Sequence, residues 1–297
     1  KGDRILVTVV KWVGGKRQLL KALDPLLPER IGIYCEPFVG GGAMLFHLQP
    51  EQAYVNDVNA ELINLYEVIR DDVDGLLREL SAFTNDRECF YAVRDWDRDP
   101  ESYAQISRVR RAARIVYLNK TCYNGLFRVN SAGEFNTPFG RYKNPGIVDE
   151  EGLRAVHRYF ARADLRFFCG DYAQVLDLLP SGAFAYLDPP YDPVSDTANF
   201  TGYAKSGFGR EEQVRLRECC DKLTARGVRF MLSNSACTGS SSSAGGRMAR
   251  GSRPRSLFRR LALAIDVLPY FLRMASRLFS RCSRFSSLWG SGSSKES

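Results

Sequence analysis

The sequence predicts an α/β fold: a parallel sheet with helices between its strands, split by a long helical insertion. Three observations carry this. Short apolar runs alternate with helical patterns across 33–66 and again across 166–235. Three of those runs reach an aspartate, at Asp57, Asp171 and Asp188. Acids so placed would line the carboxyl edge of one sheet, where open α/β folds bind ligands. Between the two halves, residues 60–120 carry apolar residues at three- to four-residue spacing, the helical period.

The elements follow in order. KWVGGKRQLL (11–20) is not a phosphate-binding P-loop, because Val10 and Arg17 stand where that motif needs Gly and Ser or Thr. Leu19, Leu20, Leu23, Leu26 and Leu27 after it predict an amphipathic helix. In IYCEPFVGGGAMLFHL (33–48) a strand ends at Glu36-Pro37, three glycines follow, and an apolar helix runs from Ala43 to Leu48. Glycines at such a turn let a ligand approach the backbone at the positive end of a helix. In AYVNDVNAELINLY (53–66) a strand ends at Asn56-Asp57, and Asp57 lies 17 residues after Gly40. An acid at about that distance is where a ribose hydroxyl pair is held. Together the two features predict an adenosine-type cofactor. A nicotinamide dinucleotide is disfavoured, since no G-x-G-x-x-G is present.

RFFCGDY (166–172) reads as a strand ending at Asp171, 210–226 as a helix and 228–235 as a strand. AFAYLDPPY (183–191) is a buried strand that stops at two prolines, which cannot donate to a ladder. Asp188 and Tyr191 flank that stiff corner. A surface turn would also use Asp and Pro, so the corner by itself does not decide between turn and site.

At 297 residues, 44% apolar and 26% charged, the chain has an ordinary globular composition. Its eight cysteines form no C-x-x-C pair and there are two histidines, which argues against a zinc site and a disulfide framework. A reducing, cytoplasmic setting is expected. The opening KGDRILVTVVKW reads as a processed or trimmed start, and its apolar run is too short for a signal or a membrane span.

Charge is segregated. Residues 236–297 hold ten Arg and one Lys against two acids, a net of +9, so the rest of the chain is close to neutral. Residues 59–107 carry a net of −7 and residues 108–145 a net of +7. The basic block is interleaved with Tyr117, Tyr123, Phe127, Phe135, Phe139 and Tyr142, a pattern suited to nucleic acid. Asn-Gly and Ala-Gly turns within 119–145 predict hairpins or an ordered loop.

The order KWVGGK, EPFVGGGA, ND, the aromatic and basic insertion YNGLFRVN…GEFN.PFGRYK, then DPPY resembles the Dam-like, D12-class, alpha-group DNA adenine-N6 methyltransferases over about residues 11–235. The resemblance implies a Rossmann-like S-adenosylmethionine-binding sheet formed by 1–58 and 147–235. It implies a mainly helical DNA-recognition domain over 59–146. Methyl transfer from S-adenosylmethionine to adenine N6 in double-stranded DNA, at GATC, follows, with a cognate restriction endonuclease as a partner. It assigns the catalytic corner to Asp188, Pro189, Pro190 and Tyr191. The Asp188 carboxylate and Pro189 carbonyl would accept from the N6 amino group, and Tyr191 would stack on a flipped-out base. Cofactor contacts fall on Trp12, Lys16, Asp57 and Asp188, with Phe38, Gly40 and Gly42 around the methionine part and Asp171 and Tyr172 near the adenine. DNA contacts fall on Tyr123, Asn124, Leu126, Arg128, Pro138 and Arg141, which match base-reading or intercalating positions, and on Lys120 and Lys143 at phosphate.

After MLSNS (231–235) the resemblance stops. Family members continue with a helix and a last pair of strands. Here 62 residues follow with 15 Ser and ten Arg and no Asn, Gln or His. This composition predicts a tail translated from a shifted frame; a one-base shift near codon 236 in the encoding DNA should restore family-like sequence. A basic tail that binds nucleic acid or an anionic membrane competes with that reading. Loss of the terminal strands would leave 228–235 as a bare sheet edge. The alternative to an active enzyme is therefore an impaired remnant that at most binds DNA or cofactor.

Overall fold

In a computed structural model the chain is described over residues 6–12, 20–190, 208–234 and 262–264. It divides into two compact units, Lys1–Ala264 and Ile265–Ser297, and the second lies outside the described residues. The strands are β1 (Ile33–Glu36), β2 (Gln52–Asp57), β3 (Asp164–Cys169), β4 (Phe184–Leu187), β5 (Arg229–Asn234) and β6 (Ala262–Ala264). They form one sheet in the order β3-β2-β1-β4-β5-β6. β1 to β5 are all parallel, and β6 runs antiparallel to β5. The α/β architecture is the one the sequence predicts.

The helices are α1 (Leu20–Leu23), α2 (Ala43–Leu48), α3 (Ala60–Asp71), α4 (Val73–Ser81), α5 (Arg87–Arg94), α6 (Pro100–Gln105), α7 (Arg108–Thr121), α8 (Glu150–Arg162), α9 (Tyr172–Asp177) and α10 (Arg210–Ala225). β4 is apolar and buried at every position. Its Phe184 and Tyr186 join a core built with α2, α3, α4, α7 and α8, while Ala185 and Leu187 join a second core built with α9 and α10. Both faces of the sheet are therefore covered, which is why this strand reads as a continuous apolar run.

Helix starts are set locally. Asn59, Asp72, Asp86, Asp99, Ser107, Asp149 and Asp171 each accept a backbone N–H from the first turn of the helix they open. Each such cap contributes about 1 kcal/mol. The helix predicted across 19–27 is one turn, continued by a 3-10 turn over Asp24–Leu26, because Pro25 has no N–H to extend it. The strand predicted to end at Asp171 ends at Cys169, and Asp171 instead caps α9. Between 119 and 145, isolated antiparallel bridges join Cys122 to Phe139 and Val129 to Phe135.

The chain lays β1, β2 and β3 in one direction and then returns to add β4 and β5 on the other side of β1. The reversal falls between β1 and β4, so a crevice opens at their carboxyl ends. At the far edge, Leu232, Ser233 and Asn234 pair with Ala264, Leu263 and Ala262. The tail thus caps that edge over three residues, where the sequence suggested none.

Candidate active site

Three carboxylates end the central strands: Glu36 on β1, Asp57 on β2 and Asp188 one residue past β4. The glycine turn leaves β1 beside them. Gly40 (φ +48°) and Gly42 (φ +69°) occupy the left-handed region that glycine enters without strain. The Gly40 N–H donates to Asp57 Oδ2 at 2.9 Å, and the Tyr66 hydroxyl donates to the Gly40 carbonyl at 2.6 Å. Val39 N–H donates to the Asn56 carbonyl, and the buried Asn56 amide donates to the carbonyls of Pro37 and Gly170. The turn is thus tied to the ends of both β2 and β3.

Trp12 lies against this turn: a Cβ on Gly40 would stand 2.7 Å from its Cδ1. Trp12 also stacks on Phe127, with ring centroids 4.9 Å apart. The preceding residue is held by Asn119, whose side chain accepts from Lys11 N–H and donates to the Lys11 carbonyl, both at 2.8 Å. The same amide donates to the Gly125 carbonyl. One buried side chain therefore joins the N-terminal segment to the insertion.

Asp57 Oδ1 accepts from Asn59 N–H at 2.9 Å, opposite the Gly40 N–H on Oδ2. A carboxylate offers about four acceptor sites, so capacity is left for a ribose hydroxyl. Burial pushes the Asp57 carboxyl above its ordinary value, opposed by the amides of Asn59, Gly40 and Val58. Glu36 is fully enclosed and accepts from the Tyr34 hydroxyl at 2.8 Å. Burial raises its pKa to about 8; the Tyr34 hydrogen bond opposes this, and the charges of Asp188 and Asp57 add to it.

That shift has a sign for stability. Folded Glu36 keeps a proton that the unfolded chain releases above its ordinary value of 4.5. Its contribution is complete below that value and is lost as pH rises towards about 8. The thermal midpoint of the wild-type chain should fall across this window relative to Glu36→Gln, by calorimetry at a series of pH values. Parallel profiles for the two proteins would sink the assignment.

The other wall is aromatic. Phe38 packs on Tyr172 at 5.0 Å and on Phe208 at 6.0 Å. Asp171 makes two 2.7 Å bonds to the Arg215 guanidinium, which holds its carboxyl below the ordinary value. Arg215 also lies over the Tyr172 ring at 5.1 Å, and the Tyr172 hydroxyl donates to Glu212 Oε2 at 3.1 Å. At the corner, Asp188 is half-buried, Pro189 buried and Pro190 exposed. Tyr191 and Lys16 lie outside the described residues.

The predicted DNA contacts fall mostly on one exposed strip. Tyr123 N–H donates to the Pro138 carbonyl and Asn124 N–H to the Tyr142 hydroxyl, which sets 123–126 beside 138–142. Tyr123, Leu126 and Tyr142 are 57%, 37% and 37% exposed, large for aromatic and aliphatic side chains. Arg141 and Lys143 are exposed as well. Asn124 (φ +57°) and Arg141 (φ +55°) hold left-handed backbone, a strained state that concentrates at functional sites. Arg128 is half-buried, and its Nε donates to Asn136 Oδ1 at 2.8 Å. Lys120 is not on the strip. It lines a cleft with Val7, Ile147 and Asp149, and burial, together with Lys11, lowers its pKa against the pull of Asp149.

The chain is similar in sequence to known proteins. The family described as D12 class N6 adenine-specific DNA methyltransferase matches residues 12–248. The chain belongs to that family. It is 44% identical over 228 residues to the type II methyltransferase M1.LlaDCHI of Lactococcus lactis subsp. cremoris, covering 76% of this chain and 80% of that protein. It is 41% identical to the type II methyltransferase M.MjaIII of Methanocaldococcus jannaschii, covering 76% and 83%. The DNA adenine methylase of Escherichia coli K12 is 36% identical, covering 76% and 79%. Among the described residues of this D12-class chain, no helix is long and apolar enough to cross a membrane.

Several residues of this D12-class site escape sequence reasoning. Asn56, Asn119 and Arg215 act on groups that are near only after folding, 108 residues away in the case of Asn119 and Lys11. Asn119 had one usable signal. It is a polar residue at a helix position flanked by the buried run Ile115–Leu118, and buried amides are hydrogen-bonded.

Proposed function

We propose that this chain transfers a methyl group from S-adenosylmethionine to adenine N6 within GATC sites of double-stranded DNA. The observation that supports it is the β1–β4 crevice, where a left-handed glycine turn and Asp57 stand beside the Asp188-Pro189 corner. The residues fit the cofactor. Gly40 leaves its space to Trp12, and Asp57 retains acceptor capacity for a ribose hydroxyl. Asp171 and Tyr172 form the wall proposed for the adenine, with Phe38, Gly40 and Gly42 at the methionine part and Trp12 and Lys16 on the N-terminal side. When bound, S-adenosylmethionine supplies an electrophilic methyl group.

The chain's own residues do the rest. The Asp188 carboxylate and Pro189 carbonyl accept from the N6 amino group and hold the positive charge that builds on nitrogen. Two successive prolines keep these acceptors in place, and positioning of this kind is a large part of such rates. Tyr191 stacks on the base once it has left the duplex, a step that costs a few kcal/mol. Residues 59–146 act as the recognition domain on the scaffold of 1–58 and 147–235. Tyr123, Asn124, Leu126, Arg128, Pro138 and Arg141 face the site and Lys143 faces phosphate, whereas Lys120, in its cleft beside Asp149, is set apart from that strip. The free cysteines among the described residues support a reducing, cytoplasmic setting. The same resemblance supports a cognate restriction endonuclease as partner.

Arg215 holds Asp171 and lies over the Tyr172 ring. The ion pair is partly exposed, at 42% and 35%, so it contributes roughly 0.2–1 kcal/mol. Arg215→Ala should raise the KM for S-adenosylmethionine by roughly two- to five-fold and leave kcat unchanged in steady-state assays. A fall in kcat with constant KM would contradict this assignment.

The function is tested with labelled S-adenosylmethionine and two duplexes, one with a single GATC and one with that site scrambled. Label on the GATC duplex alone is the expected result. Equal label on both would remove the specificity and keep the chemistry. No label from folded protein would favour the impaired remnant.

A further inference from the structure

The hairpin that carries Arg128 is gripped by one dipeptide from the acidic helices. Asp97 and Arg98 lie in the 3-10 turn Asp95–Arg98 after α5. Phe135 N–H donates to Asp97 Oδ2 at 2.8 Å, and Arg98 Nη2 donates to the Phe135 carbonyl at 2.7 Å. Two consecutive side chains thus take both backbone groups of one hairpin residue. Phe135 bridges to Val129, next to Arg128. Arg128 and Asn136 are joined twice, by Asn136 N–H to the Arg128 carbonyl and by Arg128 Nε to Asn136 Oδ1.

The grip has a rigid support. Arg114, 3% exposed, donates to Asp97 Oδ2 at 2.7 Å and to the carbonyls of Val93 and Arg94. Arg98 also pairs with Glu134 at 3.0 Å, and Glu134 accepts from Asn130 in the hairpin turn. Phe135, 1% exposed, is set in the core beside Phe127, and the space next to it is less filled. A cavity of about 260 Å³ lies between the hairpin and α3, α6 and α7, lined by Glu61, Tyr103, Arg114, Arg128 and Phe135 among others. Core contact anchors the Phe135 ring, and the hydrogen bonds to its N–H and carbonyl fix the height and register of the hairpin backbone beside this cavity. Charge-assisted bonds of this kind are the stronger and more directional ones.

We propose that Asp97 and Arg98 are positioning residues for sequence recognition, setting the height and register of the hairpin 128–136 and so the point at which Arg128 meets a base edge. This rests on the reading of Arg128 as a base-contacting residue. Neither Asp97 nor Arg98 contacts DNA in this scheme. Their effect on discrimination passes through the Phe135 backbone.

The test uses the full chain and the variants Arg98→Ala, Asp97→Asn and Arg98→Lys. Arg98→Ala removes the carbonyl half of the grip from a partly exposed position and should fold. Two quantities are measured. One is hydrogen exchange of the 128–139 segment. The other is the ratio of affinities, by fluorescence anisotropy, for a GATC duplex against duplexes with one base pair changed. Arg98→Ala and Asp97→Asn should speed exchange of the segment. They should lower the discrimination ratio by about ten-fold at one base pair, within the range of one lost direct readout. Affinity for the changed duplexes should stay constant, and Arg98→Lys should restore most of the ratio. Unchanged exchange would overturn the grip. Faster exchange with an unchanged ratio would overturn the positioning role. A wild-type chain with no preference among duplexes, whose hairpin still loosens in Arg98→Ala, would overturn the premise about Arg128 and support the grip.

Discussion

Asp188→Asn should lower kcat for methyl transfer by about 10²- to 10³-fold, the loss seen when one preorganised electrostatic contact to a transition state is removed. The substitution keeps the shape of the corner and removes its negative charge. An asparagine can still accept one hydrogen bond, but it no longer offsets positive charge on the attacking nitrogen. Tritium transfer at saturating DNA and cofactor checks this, with circular dichroism as the control for folding. A variant within ten-fold of wild type would end the acceptor role. The charge on Asp188 also helps to hold the Glu36 pKa up. The same variant should therefore titrate Glu36 at lower pH than the parent.

Arg114→Met should be the most destabilising single change in the insertion. The guanidinium is enclosed and meets three acceptors: Asp97, and the Val93 and Arg94 carbonyls at the end of α5. Those two carbonyls are among the last of the helix, which have no partner within it. Removing the cation takes a charged donor from both carbonyls and leaves the Asp97 carboxylate with Arg98 at 3.2 Å and the Phe135 N–H as its remaining partners. Breaking a buried pair in this way costs about 3–5 kcal/mol. That is a large part of the 5–15 kcal/mol typical of a whole domain. Urea unfolding would show a lower midpoint at a similar slope. A loss under about 1 kcal/mol would mean that the pair is screened or replaced.

Much of the architecture was legible because it is written locally. The strand, glycine turn and helix over 33–48 follow from an apolar run, a proline and three glycines, and β1 and α2 fall where the pattern puts them. β4 was legible from AFAYL against two prolines. α8 was not, although Asp149 caps it and Leu153, Val156, Tyr159 and Phe160 form its buried face. Its charged outer face, with the basic block just before it, hid the period. α9 was hidden too, since Asp171 reads equally as a strand end and as a cap. The site divides along the same line. Residues whose backbone does the work, Gly40 and Gly42, can be read from sequence. Residues that act by reaching a distant carbonyl or carboxylate, such as Asn119, Arg114 and Arg215, cannot, because their partners are brought near by topology alone.

The strand order also sets a timetable for synthesis. Residues 33–169 supply β1, β2 and β3, which are neighbours in space as in sequence. That half of the sheet, with the glycine turn, Asp57 and the whole insertion, is present in the emerging chain before β4 is made. β4 comes later and docks on the open side of β1. Until it does, β1 is a bare parallel edge, the kind that recruits strands from other chains. A nascent chain that paired β1, β2 and β3 early would carry a half-sheet able to pair with a stranger, and the arrival of Phe184–Leu187 that ends the exposure also delivers the Asp188 corner.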